Sequence, residues 1–200
     1  MQLIILCFTL IFCPLFATEF SVIAKKTIPA VVGIQTEDSK GSGFFFRDDG
    51  YILTNAHLLE NASTIEVITY DQQIIPAKVI QLDSKTDLAV IKVEGSGFHY
   101  LVFGDPDQME MGDEVLSIGY PHSFELGQII NKGINDIGLF PIESFIKTNA
   151  FIFLGDSGGP LLNTHGEVIG INTAALIDRE GNYLGESLAI SSKLAPQKND

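Results

Sequence analysis

Two hundred residues with 46% hydrophobic content suffice for one compact body, or for two small barrels sharing an interface, and exclude two large independent domains. The formal net charge of −13 at pH 7 argues against nucleic acid and anionic membrane surfaces as partners. No basic run, heptad pattern, internal repeat or low-complexity tract interrupts a chain that reads as globular throughout.

In chain order, residues 1–17 (MQLIILCFTLIFCPLFA) are uncharged and apolar, and shorter than the about 20 residues that a membrane span needs. They are expected to be a signal peptide with Ala17 at the cleavage position, or an anchor if left uncleaved. Export to the periplasm or the extracellular medium follows, with no membrane contact beyond such an anchor. Cys7 and Cys13 both lie in this segment, so residues 18–200 hold no thiol and form no disulfide. Residues 20–28 suit a short helix that stops before Pro29, because the residue preceding a proline is pushed out of helical geometry.

Runs rich in β-branched and aromatic residues follow at 30–36, 43–47, 51–54, 64–69, 74–82 and 88–93 and predict strands. Turn signals such as Asp48-Asp49-Gly50 and Asp71-Gln72-Gln73 punctuate them. A loop-like stretch, 94–113, with several glycines and Pro106, separates this half from a second strand-rich half at 114–190. Many short strands without long helical periodicities predict an all-β architecture, sandwich or barrel pair. Composition does not choose between the two.

The segment with chemical content is Gly155-Asp156-Ser157-Gly158-Gly159-Pro160. Glycines on both sides clear side chains from around the serine. They also permit the positive φ that aims successive N–H groups at one point, where an oxyanion can be stabilised. A serine hydroxyl is a weak nucleophile, so it needs a histidine base and an acid to orient that base. His57 follows a predicted strand on one short helical turn. Asp87 opens an apolar strand, where a lone buried carboxylate would be costly without a partner. The order His, Asp, Ser is that of the chymotrypsin triad. His99, His122 and His165 fall in loop or turn contexts and read as surface residues. No histidine pair has ligand spacing and no cysteine survives cleavage, so no metal and no other cofactor is expected.

The stretches GSGFFFRDDGYILTNAHLLENA, DSKTDLAVIKVEG, EVLSIGYP, GDSGGPLLNTHGEVIGINTA and LAISS resemble the protease domain of the HtrA/Deg serine proteases, in order and spacing, over roughly residues 28–193. The resemblance implies a chymotrypsin-like double β-barrel: two six-stranded antiparallel barrels with the active site in the cleft between them. The N-terminal barrel would span about 28–98 and the C-terminal barrel about 112–192, within a protease domain at 18–200. It implies His57 as general base, Asp87 as its orienter, Ser157 as nucleophile, and the N–H groups of Gly155 and Ser157 as oxyanion hole. Thr173, Ala174 and Ala175 would form the edge strand that pairs with an extended polypeptide substrate. Phe151, Ile152, Ala174, Ala175, Ser187, Leu188 and Ala189 would line the specificity pocket. No acid stands at Phe151, so cleavage after small or medium apolar residues is expected rather than after Lys or Arg.

Several features depart from that pattern. Phe153-Leu154 replaces the usual Asn-Pro before the motif. Asp156 has no freed N-terminus within reach and is expected to meet a basic side chain or solvent. The segment 120–127 is rewritten, and the chain ends seven residues after Lys193, so no PDZ domain is expected. Residues 20–26 could serve a homotrimer or act as a plain amphipathic cap. A catalytically silent, chaperone-like peptide-binding module on the same fold is the alternative to an active endopeptidase.

Overall fold

The computed structural model describes residues 15–121, 123–135, 137–141 and 143–196. Most of the expected signal segment, both cysteines and His122 therefore lie outside the described residues. Helix α1, Leu15–Thr27, starts earlier than the predicted helix and runs through Ala17. Pro29 does not end the ordered stretch but enters a 3-10 turn, Ile28–Ala30, near whose start a missing N–H goes unmissed. Phe20 and Ala24, one helical turn apart, pack onto the protein body, while Val22 points to solvent. The helix thus lays an apolar stripe against the body of its own chain. Among the described residues no helix is long and apolar enough to cross a membrane.

Twelve strands follow: β1 Val31–Gln35, β2 Lys40–Phe45, β3 Tyr51–Asn55, β4 Glu66–Ile68, β5 Ile74–Asp83, β6 Leu88–Val93, β7 Glu114–Gly119, β8 Ser123–Ile134, β9 Phe145–Thr148, β10 Pro160–Leu162, β11 Val168–Ile177 and β12 Tyr183–Ser191. They close into two six-stranded barrels, β1-β2-β3-β6-β5-β4 and β10-β11-β12-β9-β8-β7. All pairings within them are antiparallel. The double-barrel architecture is therefore as the resemblance implied.

Near-continuous apolar runs arise because both faces of the central strands are covered. Phe45, Ile52 and Ile91 fill the first barrel, whereas their neighbours Phe44, Leu53 and Val90 face the other way, into a cluster shared between the barrels. The second barrel repeats this, with Ala189 inside and Leu188 and Ile190 in the shared cluster. A period of two thus feeds two cores from one strand. Each fully buried Leu, Ile or Phe contributes about 1.5–3 kcal/mol.

The connector 94–113 is bonded to both barrels. Leu101 N–H donates to Phe45 O (2.9 Å), then Val168 N–H donates to Val102 O (2.9 Å) and Gly104 N–H to Val168 O (3.0 Å). The connector is thus a strap bonded to one strand of each barrel.

Candidate active site

The turn after β3 and the turn before β6 meet because these strands pair, with Asn55 opposite Leu88. A 3-10 turn, Ala56–Leu58, follows β3 and carries His57; Asp87 is the residue before β6. Asp87 sits at φ +58°, a left-handed conformation that aspartate tolerates better than most residues. The turn is held there by two hydrogen bonds to the Asp87 carbonyl, from Ala56 N–H (3.0 Å) and Asn55 Nδ2 (3.1 Å).

The Asp87 side chain, 2% exposed, accepts twice from His57. The backbone N–H reaches Oδ1 at 2.8 Å, and ring Nδ1 lies 2.8 Å from Oδ2 and 3.1 Å from Oδ1. A carboxylate only accepts, so Nδ1 carries the hydrogen and Nε2 presents its lone pair. The imidazole remains partly open to solvent.

Ser157 comes from the other barrel, in the turn before β10. Its position is set by β11 and by β2. Gly158 N–H donates to Asn172 O (2.8 Å) and Asn172 N–H to Gly159 O (2.8 Å). Gly158 has φ +87°, and a β-carbon there would collide with Ser42 O and Thr54 Oγ1, so glycine is required twice over. The fully buried Ser42 joins the two barrels. Its N–H donates to Ser157 O (2.8 Å), its hydroxyl to Gly155 O (2.8 Å), and the same hydroxyl accepts from Tyr120 N–H (2.8 Å). Gly155 has φ +104°, and the N–H groups of Gly155 and Ser157 donate to no acceptor among the described residues. Donors without a protein acceptor, beside a hydroxyl, are what an oxyanion would use.

The Ser157 hydroxyl donates to Thr173 O (3.0 Å), and among the described residues no hydrogen bond joins it to His57. Thr173 is skipped by the β11–β12 ladder, whose register shifts between Asn172 and Ala174, and β10 stops pairing at Ile171. The half-buried Ala174 and Ala175 pair with Leu188 and Ser187. Leu188 and Ala189 are fully buried in the apolar clusters described above. Ser187 Oγ accepts Ile152 N–H (3.3 Å) and bonds Tyr183 Oη (3.1 Å). Phe151 stands edge-on to Phe153 and to Tyr183, each at 4.4 Å between ring centres. Phe153 and Leu154 themselves are exposed at the surface of the loop.

Asp156 corrects an expectation. Among the described residues it meets no basic side chain, and it is withdrawn from solvent: it is 3% exposed, Oδ2 accepts Phe153 N–H (2.8 Å), and Oδ1 accepts the Ser123 hydroxyl. Burial pushes its carboxyl above the usual carboxylate range, against the two hydrogen bonds, which pull it down. The serine took this place because β8 begins at Ser123 directly opposite Gly119 at the end of β7, whose bare α-carbon leaves room for the carboxylate.

Ser42, Ser123 and Tyr183 were not anticipated as site residues. Only Ser42 carries a local signal, its place between two glycines in Gly41-Ser42-Gly43. Among the described residues no three His, Cys, Asp or Glu side chains converge to hold a metal ion.

Comparison with known proteins adds an independent line. Residues 41–171 match the profile of the trypsin-like peptidase domain. The chain is 42% identical over 170 residues to a protein of Chlamydia trachomatis serovar D named as a probable periplasmic serine endoprotease, DegP-like; the match covers 83% of this chain and 34% of that protein. A protein of the same description from Rhizobium meliloti is 40% identical over 163 residues, covering 78% and 32% respectively. The chain thus spans about a third of the length of the curated relatives it matches. Among solved structures, an HtrA-type protease AlgW with tripeptide superposes with a TM-score of 0.83 at 34% identity, over 88% of this chain and 60% of that one.

Proposed function

The chain belongs to the trypsin-like peptidase family, with DegP-like and HtrA-type proteases as relatives, and from that premise we propose that it is a serine endopeptidase acting through His57, Asp87 and Ser157. The observation that carries this reading is the His57–Asp87 pair. Its buried carboxylate fixes the ring so that Nε2 is free to accept a proton.

In the reaction, Ser157 Oγ turns from Thr173 O to His57 Nε2, gives up its proton there and forms a bond to the scissile carbonyl carbon. Catalytic hydrogen bonds that are loose without substrate and tighten with it are usual. The carbonyl oxygen becomes an oxyanion held by the N–H groups of Gly155 and Ser157. His57 then returns the proton to the leaving amine as the C–N bond breaks, leaving an acyl-enzyme. Water, deprotonated by His57, releases the acid and restores Ser157. Asp87 stays ionised throughout and stabilises the imidazolium.

Substrates are unfolded or exported polypeptides in extended form, taken up along Thr173, Ala174 and Ala175 by strand addition. A small or medium apolar residue before the scissile bond fits a pocket without an acid at Phe151, lined by Phe151, Ile152 and Ser187 and by the backbone at Leu188 and Ala189. The periplasmic naming of the relatives supports an exported site of action.

The test is cleavage of casein by the purified protein and by Ser157→Ala, with mapped cut sites and fluorophosphonate labelling. Activity is expected to fall by on the order of 10⁶-fold in the variant. A wild type that neither cleaves nor takes the label would instead make the chain a silent peptide-binding module.

A further inference from the structure

We propose that Ser123 is a positioning residue for the oxyanion loop: its hydroxyl holds the buried Asp156 carboxylate and thereby sets the N–H groups of Gly155 and Ser157. This rests on the endopeptidase reading above. Asp156 lies between those two residues in the chain, so the placement of its side chain constrains both flanking peptides.

Three observations converge on it. First, the carboxylate has left solvent without any charged partner among the described residues, and burial drives its pKa up. A group in that state stays put only while donors hold it. Second, the donors among the described residues are two: Phe153 N–H, from the same loop, and the Ser123 hydroxyl, from the first residue of β8. Phe153 moves with the loop it is meant to anchor. Among the described residues, Ser123 is therefore the one side-chain donor to the carboxylate that belongs to the barrel scaffold. Third, the space is shaped for the carboxylate, since a β-carbon on Gly119, across the β7–β8 hairpin from Ser123, would collide with it.

Ser42 secures the other side of the loop by bonding the backbone carbonyls of Gly155 and Ser157. The loop is thus gripped from β2 through its main chain and from β8 through Asp156. Its outer side chains, Phe153 and Leu154, are exposed. Loss of the Ser123 hydroxyl leaves Asp156 with one donor. The carboxylate then swings toward water, carrying the 155–157 backbone away from the geometry that meets an oxyanion.

The experiment measures kcat and KM for Ser123→Ala, Ser123→Thr and Ser123→Cys on a peptide containing a cut site mapped in casein, with the rate of fluorophosphonate labelling of Ser157. Ser123→Ala is expected to lower kcat by about ten- to a hundredfold, less than the roughly 100- to 1,000-fold for outright loss of an oxyanion donor. KM stays within about twofold, and labelling slows in step with kcat. Threonine keeps the hydroxyl and restores kcat to within about threefold; cysteine, a weak donor, falls between. Wild-type kcat in Ser123→Ala, or an equal loss in the threonine and alanine variants, would overturn the inference. Should the alanine variant not fold, wild-type kcat in Ser123→Cys would do the same. A wild type without activity or labelling sinks the endopeptidase reading and this inference with it, whereas an active wild type and an equally active Ser123→Ala sink this inference alone.

Discussion

The two barrels contribute to the site in different ways. The first offers His57 and Asp87 from turns that a strand pairing holds together, with the acid almost fully buried and accepting from both the backbone and the ring of its partner. The second offers Ser157 on a loop that joins backbone bonds to β2 and β11 with side-chain hydroxyls reaching in from Ser42 and Ser123, and whose outer residues are exposed. Strand pairing is cooperative with the whole barrel, while a hydroxyl clamp is one bond deep. Damage to the first half should therefore act through chemistry at full fold stability, and damage to the second half through placement.

The sharpest test of that contrast is Asp87→Asn. An amide of the same shape can keep the His57 backbone contact, but to meet ring Nδ1 it must either accept a hydrogen or present one. Presenting its NH₂ stabilises the tautomer with the lone pair on Nδ1, which leaves Nε2 protonated and useless as a base. A loss of about 10⁴-fold in kcat is expected, the magnitude known for the same change in the chymotrypsin-type triad, with the melting temperature little altered. Retention of kcat within tenfold would contradict the assignment of Asp87 as orienter.

Much of this was legible in the sequence. The runs rich in β-branched and aromatic residues marked all six strands of the first barrel because turn residues punctuate them, and 88–93 matches β6 residue for residue. The approach of His57 to Asp87 is also local in barrel terms, since each lies within two residues of the end of a paired strand. What the sequence could not display were contacts made only by closure of the fold. Ser42 and Gly155 are 113 residues apart, and Ser123 and Asp156 are 33 apart; nothing near either serine says which loop it will meet. For Asp156 the sequence predicts a basic side chain or solvent, because no freed N-terminus lies within its reach. The protein instead supplied neutral donors and accepted a raised pKa. Helix α1 begins at Leu15 rather than at residue 20, within the apolar segment that the sequence marks as a leader.

The second comparison is between the two clamps. Ser42→Ala removes the hydroxyl that bonds Gly155 O in a fully buried position, leaving that carbonyl without its donor at a cost of about 1–3 kcal/mol. The backbone link from Ser42 N–H to Ser157 O survives. A kcat reduction of about tenfold or more is expected, with a lowered melting point, because Ser42 also ties β2 to the end of β7 through Tyr120 N–H. The two readouts should move together here, unlike in Asp87→Asn. An unchanged melting curve would show that the barrels do not lean on this serine.

The smallest effect expected is on stability alone and concerns Asp156. Its folded-state pKa is raised, so the folded protein binds the proton more readily than the unfolded chain does. The contribution of this group to stability is therefore most favourable at low pH, below the unfolded value, and declines as pH rises through the folded pKa. Four other carboxyls, Glu37, Asp71, Glu143 and Asp178, are lowered by hydrogen bonds and act in the opposite sense: their contribution is present above the unfolded pKa and lost as pH falls. Those four are common to wild type and variant and cancel in the difference. Asp156→Asn can donate to Ser123 Oγ through its NH₂ and accept Phe153 N–H through its oxygen, so both contacts persist without the charge. The melting temperature of Asp156→Asn should exceed that of wild type at neutral pH by a few °C at most, and the gain should shrink as pH falls through the raised pKa. A gain that grows toward acid pH would mean that Asp156 has found a cationic partner, and that the loop is anchored by charge rather than by the Ser123 hydroxyl.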